Sequence, residues 1–352
     1  MKQHEIIDPS DLLDEKGHII QKGWAKQLLL RYDRRKVKGP LRSLRIKEWD
    51  CYEVFNENCG ASLIIADVGY FAMATLQLLD FKEKKAYNGA SFKLLSRGSL
   101  KLPPSADKGD AYFYGGHLNS QNRMSFVRKG NYIILKFHYP NFPELSKIGA
   151  KGELTFYKDP KHDTIVNVIP FENPRHFVYV QKANCMPVEG NFMFGDKEYI
   201  FSEKNGSYGC LDWTRSVFPY RVRWHWGSAS GLLYKGQLFG FNLDAGLQGF
   251  GDESIATKNM LFLNGVGHKL EFVTFHVPKN IMDPWKFTSS DGRFEMTLNP
   301  IMYNKTNMNF GILKTGGFNV YGYYTGDIIL DNGEKLHIDK LFGFAEEYGH
   351  RW

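Results

Sequence analysis

The sequence predicts an all-β protein built from two barrel-like or strongly curved antiparallel sheets packed together, with minimal helix. Three observations carry that expectation. Aromatic residues make up 15% of the chain and glycine occurs 35 times, a balance that suits many short strands joined by tight turns. The pairs Asn205-Gly206, Asn264-Gly265, Asp291-Gly292 and Asn332-Gly333 each stand between apolar runs, and the positive φ that these residues accept selects hairpin turns there. No segment shows the apolar period of a long amphipathic helix, whereas several alternate at the two-residue period of a strand.

Taken in order, Pro9 to Glu15 is the one plausible helix near the start, one or two turns long, with Ser10 or Asp11 as cap and Gly17 as stop. Leu41 to Phe55 is expected as an early strand. Ala61 to Ala66 and Tyr70 to Phe81 are apolar runs broken by Asp67 and Gly69; they fit two buried strands or one broken helix, and length and aromatics favour strands. Tyr132 to Tyr139 puts Ile133, Leu135, Phe137 and Tyr139 on one face, Leu154 and Phe156 repeat the pattern, and Ile165 to Ile169 follows. Phe171 to Pro187 is read as the passage between halves, giving an N-terminal domain over 1–185 and a C-terminal domain over 186–352. Beyond it, Leu270 to Val277, Phe294 to Leu298 and Leu336 to Phe344 read as strands of a meander, which closes readily into a barrel.

Composition removes several function classes. With 352 residues, 43% hydrophobic and 24% charged, the chain is ordinary for a globular protein, and no uncharged apolar run is long enough to span a membrane. The start, Met-Lys-Gln-His-Glu-Ile-Ile-Asp-Pro, lacks the apolar region of a secretory signal, so a cytoplasmic location is expected. Cys51, Cys59, Cys185 and Cys210 form no Cys-x-x-Cys pair, and reduced, mostly buried thiols are expected rather than a disulfide frame or a zinc site. The net charge of +7 is spread along the chain apart from Arg31 to Lys38, which argues against a nucleic-acid partner. Phosphate loops and the Gly-x-Ser-x-Gly elbow are absent, so neither a nucleotide nor another cofactor is expected, and no metal.

The densest chemistry lies in Gly209 to Gly231. From Tyr220 to Trp226 the residues alternate, with Tyr220, Val222, Trp224 and Trp226 on one side and Arg221, Arg223 and His225 on the other. Asp212 and Arg215, three apart beside Pro219, suggest a salt-bridged turn. The plainer alternative is a core strand with a decorated edge.

These residues also carry a resemblance. Arg45-Ile-Lys-Glu-Trp-Asp50, Lys182-Ala-Asn-Cys-Met-Pro187, Leu211-Asp-Trp-Thr-Arg215, Trp224-His-Trp-Gly-Ser-Ala-Ser-Gly231 and Gly343-Phe-Ala-Glu-Glu-Tyr-Gly-His-Arg-Trp352 together resemble the family named domain of unknown function 2804. That resemblance implies a distant kinship with the lipocalin-like calycin group, alongside AttH-like proteins, carotenoid hydratases and some cyclases, and hence two lipocalin-like barrels. The hydratases have a His-x-Trp-Gly motif on a pocket strand. Trp224-His225-Trp226-Gly227 looks like it, with Trp224 in the place of the histidine. Their aspartate on a following strand would correspond in position to Asp244.

Two functions from different classes remain. One is a protein that binds a small hydrophobic or amphipathic molecule, lipid or terpenoid in type, in a barrel or between barrels. The other is an acid-catalysed isomerase, hydratase or cyclase acting on such a molecule, which requires a carboxyl group of raised pKa beside an aromatic wall. The candidate acids are Asp212, Asp244 and Glu346; the candidate ligand-binding residues are Tyr220, Trp224 and Trp226 as the wall, with Arg215 and Asn242 as orienting groups. Each acid also has an ordinary alternative, Asp212 pairing with Arg215 and Glu346 with Arg351. The closing residues Glu346, Arg351 and Trp352 mark a buried end, expected as a last strand that covers a barrel edge.

Overall fold

A computed structural model describes residues 3–117, 120–143, 146–249 and 251–352. It is 59% strand and 3% helix, and the strands form two strongly curved antiparallel sheets. In the first, the order is Lys85–Leu94, Phe71–Asp80, Cys59–Asp67, Lys47–Phe55, Tyr208–Val217, Phe177–Phe194, Ala150–Tyr157, Tyr132–Tyr139, Arg123–Lys129 and Ala111–Tyr114. Its two ends meet: the His117 N–H donates to Phe92 O at 2.8 Å and the Leu94 N–H to His117 Nδ1 at 3.1 Å, so the sheet wraps round its own core. In the second, the order is Val266–Lys269, Met260–Leu263, Leu238–Gln248, Arg221–Leu232, Lys335–Arg351, Leu313–Ile329, Phe294–Phe310, Trp285–Ser289 and Val273–His276.

Three of the four hairpin signals join paired strands; Asn205-Gly206 does not, because Lys197–Phe201 and Tyr208–Val217 each pair with Phe177–Phe194 and a short helical turn, Glu203–Asn205, lies between them. Asn264 and Gly265 have φ of 49° and 84°, the paired positive values of a two-residue hairpin between Met260–Leu263 and Val266–Lys269. Curvature comes from irregular register, at Ala183/Met186 in the long strand Phe177–Phe194 and at Pro300/Met302 and Tyr324/Gly326 in the second sheet.

Three expectations about elements are corrected. Pro9 to Glu15 is not a helix: Ser10–Asp11 pairs in parallel with Leu30–Arg31. Leu12 and Leu13 are both buried, and the backbone there is committed to the bridges of this parallel pair and of Leu13 with Ile19 rather than to a helical turn. The helical turn falls instead at Arg42–Arg45, ahead of the strand Lys47–Phe55. Lys335–Arg351 is no edge strand; it lies at the centre of the second sheet, between Arg221–Leu232 and Leu313–Ile329. Residue 185, where the two halves were expected to divide, lies inside Phe177–Phe194. The chain changes sheet between Val217 and Arg221, because Tyr208–Val217 returns to pair with both Phe177–Phe194 and Lys47–Phe55.

That returning strand explains the architecture. All ten residues of Tyr208–Val217 are buried. Leu211 and Trp213 join the core inside the first sheet, and the alternate residues Cys210, Asp212 and Thr214 face outward, where the second sheet covers them. A second core, including Phe241, Trp285, Phe294 and Tyr324, fills the second sheet. A third, with Leu79, Phe81, Cys210, Trp226, Tyr321, Phe342 and Phe344, lies in the seam between them.

Candidate functional site

The seam carries a charged centre in an apolar frame. Parity fixes which side chains reach it. On Lys47–Phe55, Tyr52 and Val54 belong to the inner core, so Cys51, Glu53 and Phe55 point to the seam. On Lys335–Arg351, Leu341 and Ala345 are inner, so Phe342, Phe344 and Glu346 point there. Phe55 meets Phe344 at 5.5 Å and Tyr321 at 5.8 Å between ring centroids, closing the seam at one end. A stacked column closes the other, with His350 at 4.7 Å from Trp224 and 4.5 Å from Trp352. Burial there pushes the His350 pKa down to about 3, which keeps that imidazole neutral.

Between these ends, Lys182 Nζ lies 2.8 Å from Asp212 Oδ2 and 3.6 Å above the Trp226 ring. Burial works against the Lys182 charge, but Asp212, then Asp244 and Glu346, carry its pKa above the ordinary lysine value. The Trp226 N–H donates to Asn242 Oδ1 at 2.8 Å, and Asn242 Nδ2 donates to Lys258 O at 2.7 Å. Trp226 stands opposite Glu346 on one neighbouring strand and opposite Asp244 on the other.

Glu346 is the acid of this centre. Its Oε1 accepts the Trp224 indole N–H at 3.3 Å and its Oε2 accepts from Asn319 Nδ2 at 2.7 Å. Burial, then the neighbouring Glu53, push its pKa up to about 8, against the opposing pull of Lys182 and of the two donors. Glu53 is raised to about 7, chiefly by burial. At neutral pH Glu346 therefore mostly holds its proton while Glu53 stands near its midpoint, and both face the seam from opposite sheets. Several buried polar atoms nearby have no hydrogen-bond partner among the described residues: Glu53 Oε2, Asn184 Oδ1 and Asn304 Nδ2. Each such atom costs about 1 to 3 kcal/mol when left dry.

Each residue singled out from the sequence now has a place. Asp212, Trp224, Trp226, Asn242, Asp244 and Glu346 lie on or beside the seam. Arg215 does not: on Tyr208–Val217 it shares parity with Trp213, faces the inside of the first sheet and bonds Asp50 at 2.8 Å. The expected Asp212 to Arg215 turn is therefore a strand whose two charges point to opposite faces and pair with Lys182 and Asp50. Glu346 does not pair with Arg351, which is exposed. Asp244 pairs with Lys258 at 2.6 Å. Tyr220 lies just before its strand, 42% exposed, its hydroxyl donating to Ile312 O at 2.7 Å, so it forms no part of a wall. Among the described residues the wall that remains is closely packed: Trp226 meets Lys182 and the ring of Phe344 at 4.8 Å. The adjoining gap, lined by Phe55, Cys210, Ser228 and Phe342 among others, holds about 10 Å³, room for one water molecule. Sequence reasoning missed Glu53. The available signal was the alternation Cys51, Glu53, Phe55 on a strand whose other face, Tyr52 and Val54, is plainly apolar.

A family model described as Domain of unknown function (DUF2804) matches residues 3–352. The chain belongs to the DUF2804 family. Four of the five segments that resembled it converge, through Lys182, Asp212, Trp224, Trp226 and Glu346, on the seam of this DUF2804 chain. Among solved structures, CghA is similar with a TM-score of 0.55 and 10% identity over 97% of each chain, which shows a shared fold. An AttH-like protein (NE1406) from Nitrosomonas europaea aligns with a TM-score of 0.44 and 10% identity, over 91% of this chain and 96% of its own. Kievitone hydratase from Nectria haematococca aligns at 0.43 and 9% identity, over 87% and 88%. Comparison with curated proteins finds no match. All four cysteines of the DUF2804 chain are buried and free. Among the described residues no group of three His, Cys, Asp or Glu side chains is placed to hold a metal ion, and no helix is long and apolar enough to cross a membrane.

Proposed function

We propose that this protein binds a small, mainly apolar molecule in the seam between its two sheets and that Glu346 serves there as a neutral acid, giving a proton or a strong hydrogen bond to a polar atom of that molecule. The observation that carries the reading is the Glu346 carboxyl itself, buried, held by two neutral N–H donors and raised to about 8. A merely structural acid at this depth is ordinarily ionised and paired with a cation. The unpartnered atoms of Glu53, Asn184 and Asn304 supply further polar contacts. Because the seam is closely packed, admission of the molecule requires the aromatic side chains at its ends to move. CghA has been crystallised with Sch210972; at such low identity the likeness extends to the fold alone, and the reading rests on Glu346.

The test is incubation of wild-type and Glu346→Gln protein with a lipid extract of the host, followed by mass spectrometry. Conversion of an extract component by the wild type and not by Glu346→Gln is expected. Equal conversion by both proteins removes Glu346 from the chemistry. Binding by both with conversion by neither makes the protein a carrier.

A further inference from the structure

The acid proposed above has a partner on the opposite sheet. Glu53 stands on Lys47–Phe55 and faces the seam with Oε2 unpartnered, while Ser62, its cross-strand neighbour, satisfies the other side of its carboxyl. Phe55 and Phe344, each two residues away from its glutamate on the same face, meet at 5.5 Å, and Glu53 is near enough for its charge to raise the Glu346 pKa, so the two glutamates face the same part of the seam from opposite sheets. The two carboxyls differ in setting. Glu346 has two N–H donors that fix its plane, and Glu53 has a free oxygen. The other titratable and charged groups facing this pair are Lys182 from Phe177–Phe194, Asp212 and Cys210 from Tyr208–Val217, Cys51 from Lys47–Phe55, Tyr321 from Leu313–Ile329 and Tyr348 from Lys335–Arg351.

Resting on the seam reading of the previous section, we infer that Glu53 is the base of a two-carboxyl proton-transfer site, and that the substrate class is a mainly apolar molecule carrying a carbonyl group, an adjacent C–H and a carbon–carbon double bond next to that carbon. In the forward step the Glu53 carboxylate removes the proton from that carbon. The C–H pair becomes a carbon–carbon double bond, the carbonyl π pair moves onto oxygen, and Glu346 supplies the hydrogen bond or proton that this oxygen requires. Return of the proton from Glu53 to the far carbon of the resulting dienolate, with Glu346 taking back any proton it gave to the oxygen, restores the carbonyl and leaves a shifted double bond. Atoms and charge balance without an oxidant, a water molecule or a cofactor, so the net reaction is an isomerisation.

Acid strength favours this over hydration of an isolated alkene. A carboxyl raised to about 8 is a weaker acid than an ordinary one and is poorly suited to protonating carbon, but it is well suited to donating a hydrogen bond to an enolate oxygen while a second carboxylate of lower pKa takes the proton. Glu53, whose pKa burial also raises, is placed to be that second group, because its Oε2 has no partner among the described residues while two N–H donors fix the Glu346 carboxyl.

Two experiments test the pairing. In the first, carboxyl carbons of glutamate-labelled wild type, Glu53→Gln and Glu346→Gln are titrated by NMR with no ligand. A Glu346 midpoint near 8 that falls by half a pH unit or more in Glu53→Gln is expected. A Glu346 midpoint in the ordinary carboxylate range in the wild type removes the neutral acid and with it the proposed function. A midpoint near 8 that Glu53→Gln leaves unmoved overturns the pairing alone. In the second, the apolar fluorescent ketone 6-propionyl-2-dimethylaminonaphthalene is incubated with each protein in deuterium oxide. Deuterium should enter its propionyl methylene at least 100-fold faster than in buffer with the wild type and at the buffer rate with Glu53→Gln, while the fluorescence titration shows Glu53→Gln still binding within threefold. Glu53→Asp, with charge kept and reach shortened, should recover part of the exchange. Exchange by Glu53→Gln at the wild-type rate, or by the wild type no faster than buffer, overturns the base assignment.

Discussion

Replacing Glu346 by Gln should flatten the dependence of stability on pH. The folded-state pKa of Glu346 is raised to about 8 from the ordinary 4.5. Between those values the folded protein holds a proton that the unfolded chain has released, so stability falls as pH rises through this window. Below about 4.5 both states are protonated and no penalty applies. Each pH unit crossed inside the window costs a little over 1 kcal/mol, so the loss from this one group between pH 5 and pH 8 is about 3 kcal/mol, an upper figure because local opening can relieve it. Gln keeps the shape and can still use the neighbouring donors while removing the titration. Urea unfolding of both proteins at pH 5, 6, 7 and 8 reads the effect directly: the curves should lie close together at pH 5, and Glu346→Gln should be the more stable at pH 8 by roughly that amount. Parallel curves across the whole range would refute a neutral Glu346.

Other outcomes follow from the same seam. Trp226→Ala should cost about 3 to 5 kcal/mol in denaturant unfolding, because the indole is enclosed and its removal strands both Lys182 and Asn242; a loss under 1 kcal/mol would mean that the site collapses freely around the gap. Lys182→Met should cost about 3 to 5 kcal/mol by leaving Asp212 buried and uncompensated, and adding Asp212→Asn should restore part of the loss; equal stability of single and double variants would show the ion pair to be dispensable. Deleting Tyr348 to Trp352 truncates a central strand and the column around His350, so soluble expression should fail or the melting temperature fall, and an unchanged melting curve would contradict the central placement. Thiol titration should find four reactive cysteines in denaturant and almost none in the folded protein, since all four are buried; rapid reaction of a folded thiol would contradict that burial.

The fold was legible because its signals are local. Asn264-Gly265 and Asn332-Gly333 dictate turns by backbone preference, and Tyr132 to Tyr139 shows one buried and one wet face. Legibility failed where both faces are buried. Tyr208–Val217 lies between two cores, so its alternation is between kinds of buried neighbour, with Trp213 and Arg215 to one side and Asp212 and Thr214 to the other. Without an apolar and a polar face to compare, Asp212 and Arg215 look like partners three residues apart. The charged centre was half legible for the same reason. Asp212, Asp244, Glu346, Trp224 and Trp226 stood out as costly or conspicuous residues, but Lys182, Asn319 and Glu53 gain their meaning from pairings between sheets that no local pattern records. Parity of Trp224 and Trp226 against His225 was readable along the strand. What that face opposes was not, since it depends on a second sheet whose central strand, Lys335–Arg351, arrives more than a hundred residues later.

The central claim, that the seam beside Glu346 is a binding site for a small and mainly apolar molecule, is tested most directly by native mass spectrometry of the protein purified from its own host. The expected result is a population carrying one small, apolar, non-covalent adduct that is released on denaturation and is lost when Trp226 and Glu346 are both replaced. A native mass equal to that of the bare chain, unchanged after incubation with the host's lipid extract, would contradict it.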